Sequence, residues 1–168
     1  MHEEPSSLPT EATERRPARA PTLSLKGRAL RLLAAREHSR VELERKLAVH
    51  ASSPQELAQV LDALAAKDFI SEQRVAESLA HRRGAKLGTA RVVQELRAKG
   101  VEPSAIADVA AQLKTSELER AREVWRKKFG QAAADPGERS RQMRFLAARG
   151  FAPELIRRVV KDDEDAGF

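Results

Sequence analysis

The chain has 168 residues, of which 41% are hydrophobic, 33% charged and only 4% aromatic, with no cysteine. Disulfides and thiolate zinc sites are thereby excluded, no run approaches the ~18 apolar residues that cross a bilayer, and no apolar secretory core opens the chain, so a cytoplasmic protein away from the membrane is expected. The formal net charge is +6, and the excess points to a polyanion, or an acidic protein attached to one, as partner.

Residues 1–24 contain Pro5, Pro9, Pro17 and Pro21 with scattered charges and no periodicity, and read as a disordered tail. A first group, 25–68, follows. Leu25, Ala29, Leu32 and Leu33 make one apolar stripe. Ser39 is placed to cap the next helix, with Glu42 as reciprocal partner in a capping box, and Val41, Leu43 and Leu47 face inward. Ser53 caps a third helix, Pro54 fits its first turn and Glu56 completes the same signature. Leu57, Val60, Leu61 and Leu64 fall at i, i+3, i+4 and i+7 on that helix.

The second group, 69–114, opens on Phe69 and Ile70, which are placed to anchor a turn before a helix starting at Ser71. Val75, Ala76 and Leu79 form its inner face. Thr89 is expected to cap a helix with Val92, Val93 and Leu96 inward, and Gly100 to end it in the left-handed conformation. Pro103 opens the third helix, with Ile106, Val109 and Leu113 inside. In the third group, 115–160, Leu118, Ala121, Trp125 and Phe129 share one face. Asp135-Pro136-Gly137 breaks the chain, Met143, Phe145 and Leu146 pack the penultimate helix, and Gly150 ends it. Leu155, Ile156, Val159 and Val160 serve the last. Residues 161–168, one Lys against four acids, read as an acidic tail.

The second and third groups repeat at an offset of 50. Leu96, Gly100, Val101, Pro103 and Ile106 recur as Leu146, Gly150, Phe151, Pro153 and Ile156. A fainter copy, Leu47, Ala51, Pro54 and Leu57, lies 49 residues upstream, where alanine replaces the glycine and the turn must close another way. A period of this size indicates stacked helical units. A core drawn from Leu, Val, Ile and Ala also suits thin helical layers. The expected fold is all-α: tandem three-helix repeats in an elongated, curved array.

Without the two tails, residues 25–160 hold 27 basic and 17 acidic side chains, a net +10. Arg82, Arg83 and Lys86 cluster at the loop Gly84–Gly88, and Arg91, Arg97 and Lys99 continue beyond it. The glycines and the adjoining helix N-terminus suit a phosphate or a carboxylate-rich protein surface, or they merely make the turn. Arg122 and Arg126, extended by Lys127 and Lys128, then Arg141, Arg144 and Arg149, carry the basic theme into the third group. Arg157 and Arg158 sit where a helix C-terminus favours cations in any case. His2, His38, His50 and His81 lack a ligand pattern and read as cap or surface residues. There is no P-loop and no nucleophile elbow. Trp125 has core spacing rather than that of a base-stacking platform. No catalytic residue, metal or cofactor is expected.

Three lines, Ala29–Leu47, Val60–Val101 and Phe145–Val160, resemble the RecX family of bacterial recombinase regulators in order and spacing, over about residues 25–160. The resemblance implies tandem three-helix units, and binding to a RecA-type recombinase filament on single-stranded DNA. It implies modulation, usually inhibition, of ATP hydrolysis and strand exchange, with DNA nearby; direct DNA contact is a further expectation, and the free chain is expected to be a monomer. The family's central motif falls on Phe69, Arg74, Arg82, Arg83, Gly84, Gly88, Arg91, Leu96 and Gly100. Phe69 and Leu96 are then expected to hold the unit together, and the arginines to face the partner. A helical protein that binds DNA directly, and a scaffold for some other protein, are the alternatives.

Overall fold

The computed structural model describes residues 22–165, with side chains as far as Lys161, so the expected disordered tail lies almost wholly outside the described residues. Among those described there are nine α-helices and no strand. They are α1 (Leu25–Ala35), α2 (Arg40–Leu47), α3 (Pro54–Ala66), α4 (Glu72–Gly84), α5 (Thr89–Ala98), α6 (Pro103–Thr115), α7 (Glu117–Lys128), α8 (Pro136–Ala148) and α9 (Pro153–Asp165). The last runs into the stretch read as an acidic tail. None exceeds 13 residues, a length marginal in isolation, so buried inner faces must hold them.

Those faces form three separate clusters. The first gathers Leu25, Ala29, Leu43, Leu47, Leu57, Leu61, Leu64 and Ile70. The second holds Val75, Ala76, Leu79, Val92, Leu96, Val101, Ile106, Val109 and Leu113. The third holds Ala121, Trp125, Leu146, Phe151, Ile156, Val159 and Val160. Each fully buried Leu or Val contributes about 1.5–3 kcal/mol from apolar area removed from water. The tandem three-helix architecture follows from this division of the apolar residues.

Helix starts agree with the sequence except in two places. Ser39 and Glu42 complete a reciprocal capping box. Ser53 accepts from the Glu56 amide, but Glu56 turns back to the Ser52 amide rather than to Ser53. Thr89 does not cap α5. Gly88 holds the cap position without a side chain, and the Thr89 hydroxyl donates to Glu117 instead.

Three helix ends share one motif. Val101 N donates to Leu96 O and Gly100 N to Arg97 O; Phe151 N donates to Leu146 O and Gly150 N to Ala147 O. Gly100 (φ +69°) and Gly150 (φ +82°) take the left-handed conformation that this closure requires. At the end of α3 the same bonds run from Phe69 N to Leu64 O and from Asp68 N to Ala65 O, with Asp68 at φ +60°. Phe69 is 47% exposed. Its backbone closes the turn and its ring stays outside, so the expectation that the ring holds the unit together is corrected; Ile70 enters the first cluster instead. His38 also departs from expectation: it is buried, and its Nδ1 lies 2.9 Å from the Arg36 carbonyl.

In the faint first copy, α2 runs into a 3-10 turn, Ala48–His50, and Ala51 has φ −84°. No glycine is required, because that turn does not enter the left-handed region. The later glycines have a second duty. A Cβ on Gly100 would lie 2.6 Å from Val41 Cβ, and one on Gly150 would lie 2.5 Å from Arg91 Cβ. In both, the end of one unit's second helix abuts the start of the preceding unit's second helix. Val41 and Arg91 are themselves 50 residues apart, so the two joints are one contact used twice.

Candidate functional site

The joints decide which basic side chains remain outside. At the first joint Ser39 Oγ donates to Lys99 O at 2.5 Å. Glu42 lies between Arg36 and Lys99, 2.9 Å from each. Burial alone would raise the Glu42 pKa, but hydrogen bonds from Arg36, Lys99 and the Ser39 amide prevail and hold it at about 2. Arg74 pairs with Glu37 at 2.9 Å and Asp68 at 3.0 Å, pinning α4 to the first unit. Arg74 and Lys99 are thus parts of this joint.

At the second joint Gly88 N donates to Arg149 O at 2.8 Å. Both the Thr89 amide and its hydroxyl donate to the Glu117 carboxylate, at 3.1 and 2.9 Å. The N-terminus of α5 does hold an anion, then, but it is the chain's own buried carboxylate. Arg120 donates to the carbonyls of Gly84, Leu87 and Leu113, tying the end of α4, the following loop and the end of α6 to α7. Burial pushes its guanidinium below the usual arginine value, and Glu117 opposes that shift. Gly84 itself is buried against Leu113.

Neither Glu117 nor Arg120 was legible as a joint residue, because their partners lie about thirty residues away and no local spacing marks them. Gln142 was missed for the same reason. It is fully buried, it accepts from Trp125 Nε1 at 2.9 Å, and it occupies the position of Val92 in the repeat. Trp125 is a core residue, as its spacing implied.

Several other candidates are engaged locally. Arg83 meets Glu95 at 2.8 Å, Arg122 meets Glu119 and Arg126 meets Glu123. The Arg149 guanidinium stacks 3.6 Å over the Phe145 ring. Arg82 bonds its own helix at Ser78 O, and Arg91 bonds Gln94. Lys86, Arg97, Arg141 and Arg144 are exposed, and their side chains make no hydrogen bond or ion pair among the described residues.

Exposure along α5 and α8 repeats residue for residue. Positions 91, 94, 97 and 98 are exposed, as are 141, 144, 147 and 148, while 92 and 96 are buried like 142 and 146. Arg91 and Arg141 therefore hold equivalent places, and Arg144 corresponds to Gln94. The start of α5 lies against the end of α8, and Arg91 and Arg97 on α5 and Arg141 and Arg144 on α8 are exposed cations on two consecutive units. On these two helices Glu95 is drawn aside by Arg83 and Glu138 by the amide of Ala134. Chemically this arrangement can bind anions and acidic surfaces. Among the described residues no group of side chains could hold a metal ion, and no helix is long and apolar enough to cross a membrane.

Comparison with known proteins places this geometry. Residues 71–109 match the family model described as the second three-helix domain of RecX, and residues 115–160 match that of the third. The regulatory protein RecX of Leptothrix cholodnii is 54% identical over 141 residues, covering 84% of this chain and 90% of that one. That of Ralstonia nicotianae is 48% identical over 139 residues, covering 83% and 87%. The crystal structure of RecX from Lactobacillus salivarius superposes with a TM-score of 0.73 at 16% identity, over 83% of this chain and 94% of the other, and so supports the fold. By sequence and by architecture, this chain belongs to the RecX family of regulatory proteins.

Proposed function

We propose that this protein binds a RecA-type recombinase filament on single-stranded DNA in the cytoplasm and restrains its ATP hydrolysis and strand exchange. The observation that carries the reading is the exposed set Arg91, Arg97, Arg141 and Arg144, cations on two successive units with Arg91 and Arg141 in equivalent places. A filament repeats too, so units joined at fixed spacing can contact more than one of its protomers. Once the first contact forms, later ones are effectively intramolecular and modest affinities multiply. Bridged protomers resist the relative movement that turnover requires. The units in this account are residues 25–68, 69–114 and 115–160, acting as a monomer and by binding alone, without catalytic chemistry or cofactor.

Direct reading of bare DNA is less well supported. Trp125 is 4% exposed and bonded to Gln142, so it offers no face on which a base can stack. The test is a titration of this protein into the cognate recombinase turning over ATP on single-stranded DNA. The wild type is expected to slow hydrolysis. The combined Arg91→Glu, Arg141→Glu and Arg144→Glu variant, with its helicity intact by circular dichroism, should need at least tenfold more protein for the same effect. Equal potency of the two proteins would refute the assignment.

A further inference from the structure

A groove with a cavity volume of about 910 Å³ runs across the second joint. One wall is α5 and α6; the other is the turn between α8 and α9. Ala90, Val93, Ala107, Ala110, Ala147 and Ala152 supply an apolar floor of small side chains, and Arg97 and Lys114 also line it. Both cations are exposed and have no carboxylate partner among the described residues. Glu117 also lines the groove, but it is buried and committed to Thr89. The exposed carboxylates Asp108 and Glu154 are not part of the lining.

We infer that this groove docks a short amphipathic segment of the protein partner, its apolar side chains on the alanine floor and its carboxylates toward Arg97 and Lys114. This rests on the filament reading and deepens it, since the acidic segment would be the recombinase's own. The floor argues against the other occupants. A small molecule needs convergent polar groups to orient it, and here Thr89 and Glu117 spend theirs on each other. A nucleic-acid strand would want an exposed aromatic face as well as charge, and Phe151 in this groove is 4% exposed. A shallow apolar channel with cationic lining is what an apolar helix face with acidic flanks fits. Because its walls belong to two units, an occupant would also fix their relative orientation.

Ala107 and Ala147 are exposed helix residues on opposite walls, so larger side chains are tolerated there. The double variant Ala107→Glu, Ala147→Glu fills the floor and repels carboxylates. It should bind the assembled recombinase filament at least tenfold more weakly than the wild type, with unchanged helicity, and Lys114→Glu should weaken binding several-fold. A photo-crosslinking side chain introduced at Ala107 should then attach to an acidic stretch of the recombinase. If both groove variants bind like the wild type while the Arg91→Glu, Arg141→Glu, Arg144→Glu protein does not, the groove proposal is overturned and the filament reading stands. Crosslinks that run only to DNA overturn it as well. A wild type without affinity for the filament removes both.

Discussion

The two joints of this chain occupy equivalent places in the repeat but are built from different materials. The joint between the first and second units is made largely by side chains. Glu42 is held by Arg36 and Lys99, Glu72 accepts from the amides of Arg40 and Glu102, and Arg45 reaches Ala98 O. The glycine there, Gly100, faces the Val41 side chain, which has some freedom to give way. Between the second and third units the backbones themselves meet. A Cβ on Gly88 would run into the carbonyl of Gly150 and the amide of Phe151, and neither can turn aside. The first joint is therefore a charged clasp sensitive to salt and pH, whereas the second is a close-packed seam. The groove lies across the seam, and the exposed arginines of α5 and α8 stand on either side of it.

Breaking the seam should have the largest effect. Gly88→Ala puts a methyl group against main chain; at φ −70° alanine is unstrained there and even gains a little from a less disordered unfolded chain, so the clash alone sets the loss. Its cost should be about 3 kcal/mol, the upper range for overpacking, read by urea denaturation. A loss below ~1 kcal/mol would show that the seam opens easily. Arg120→Met comes next. It keeps most of the apolar stem but leaves the carbonyls of Gly84, Leu87 and Leu113 without their donor, at about 2 kcal/mol. The same denaturation series measures it, and a neutral result would mean that water replaces the guanidinium.

The clasp should respond to pH. Glu42 has a folded pKa depressed from 4.5 to about 2. Its stabilisation is thus full above pH 4.5 and is lost as the pH falls through about 2. The contribution is on the order of 1 kcal/mol once solvent screening of the partly exposed Arg36 and Lys99 is allowed for. Comparing wild type with Glu42→Gln between pH 6 and pH 2.5 isolates it. The difference in stability between the two proteins should shrink on acidification, and a difference that grew would contradict the assignment.

Much of this architecture was legible in the sequence because its determinants are local. Caps at Ser39, Ser53 and Ser71, prolines opening α3, α6 and α9, and the 3.6-residue spacing of Leu and Val lie within a turn or two of the elements they specify. The glycines at 100 and 150 were legible as helix ends, but not as contacts with Val41 and Arg91 on another unit. The candidate surface was legible only as a list of cations. Arg74 and Lys99 turn inward to carboxylates far away in sequence, while Arg141 and Arg144 stay outside, and one-dimensional spacing does not separate the two sorts. Phe69 misled for a related reason: its position marks a turn, and only the fold shows that the backbone, not the ring, makes it.

The central claim is that the exposed arginines of α5 and α8, carried by two closely joined units, engage a polymeric partner. Its most direct test is the salt dependence of affinity for the recombinase filament on single-stranded DNA. Wild-type affinity should fall steeply as salt rises, since each neutralised anion releases counterions or loses a screened attraction. The Arg91→Glu, Arg141→Glu, Arg144→Glu protein should bind at least tenfold more weakly at low salt and with a markedly shallower slope. Identical affinities and slopes for the two proteins would contradict the account.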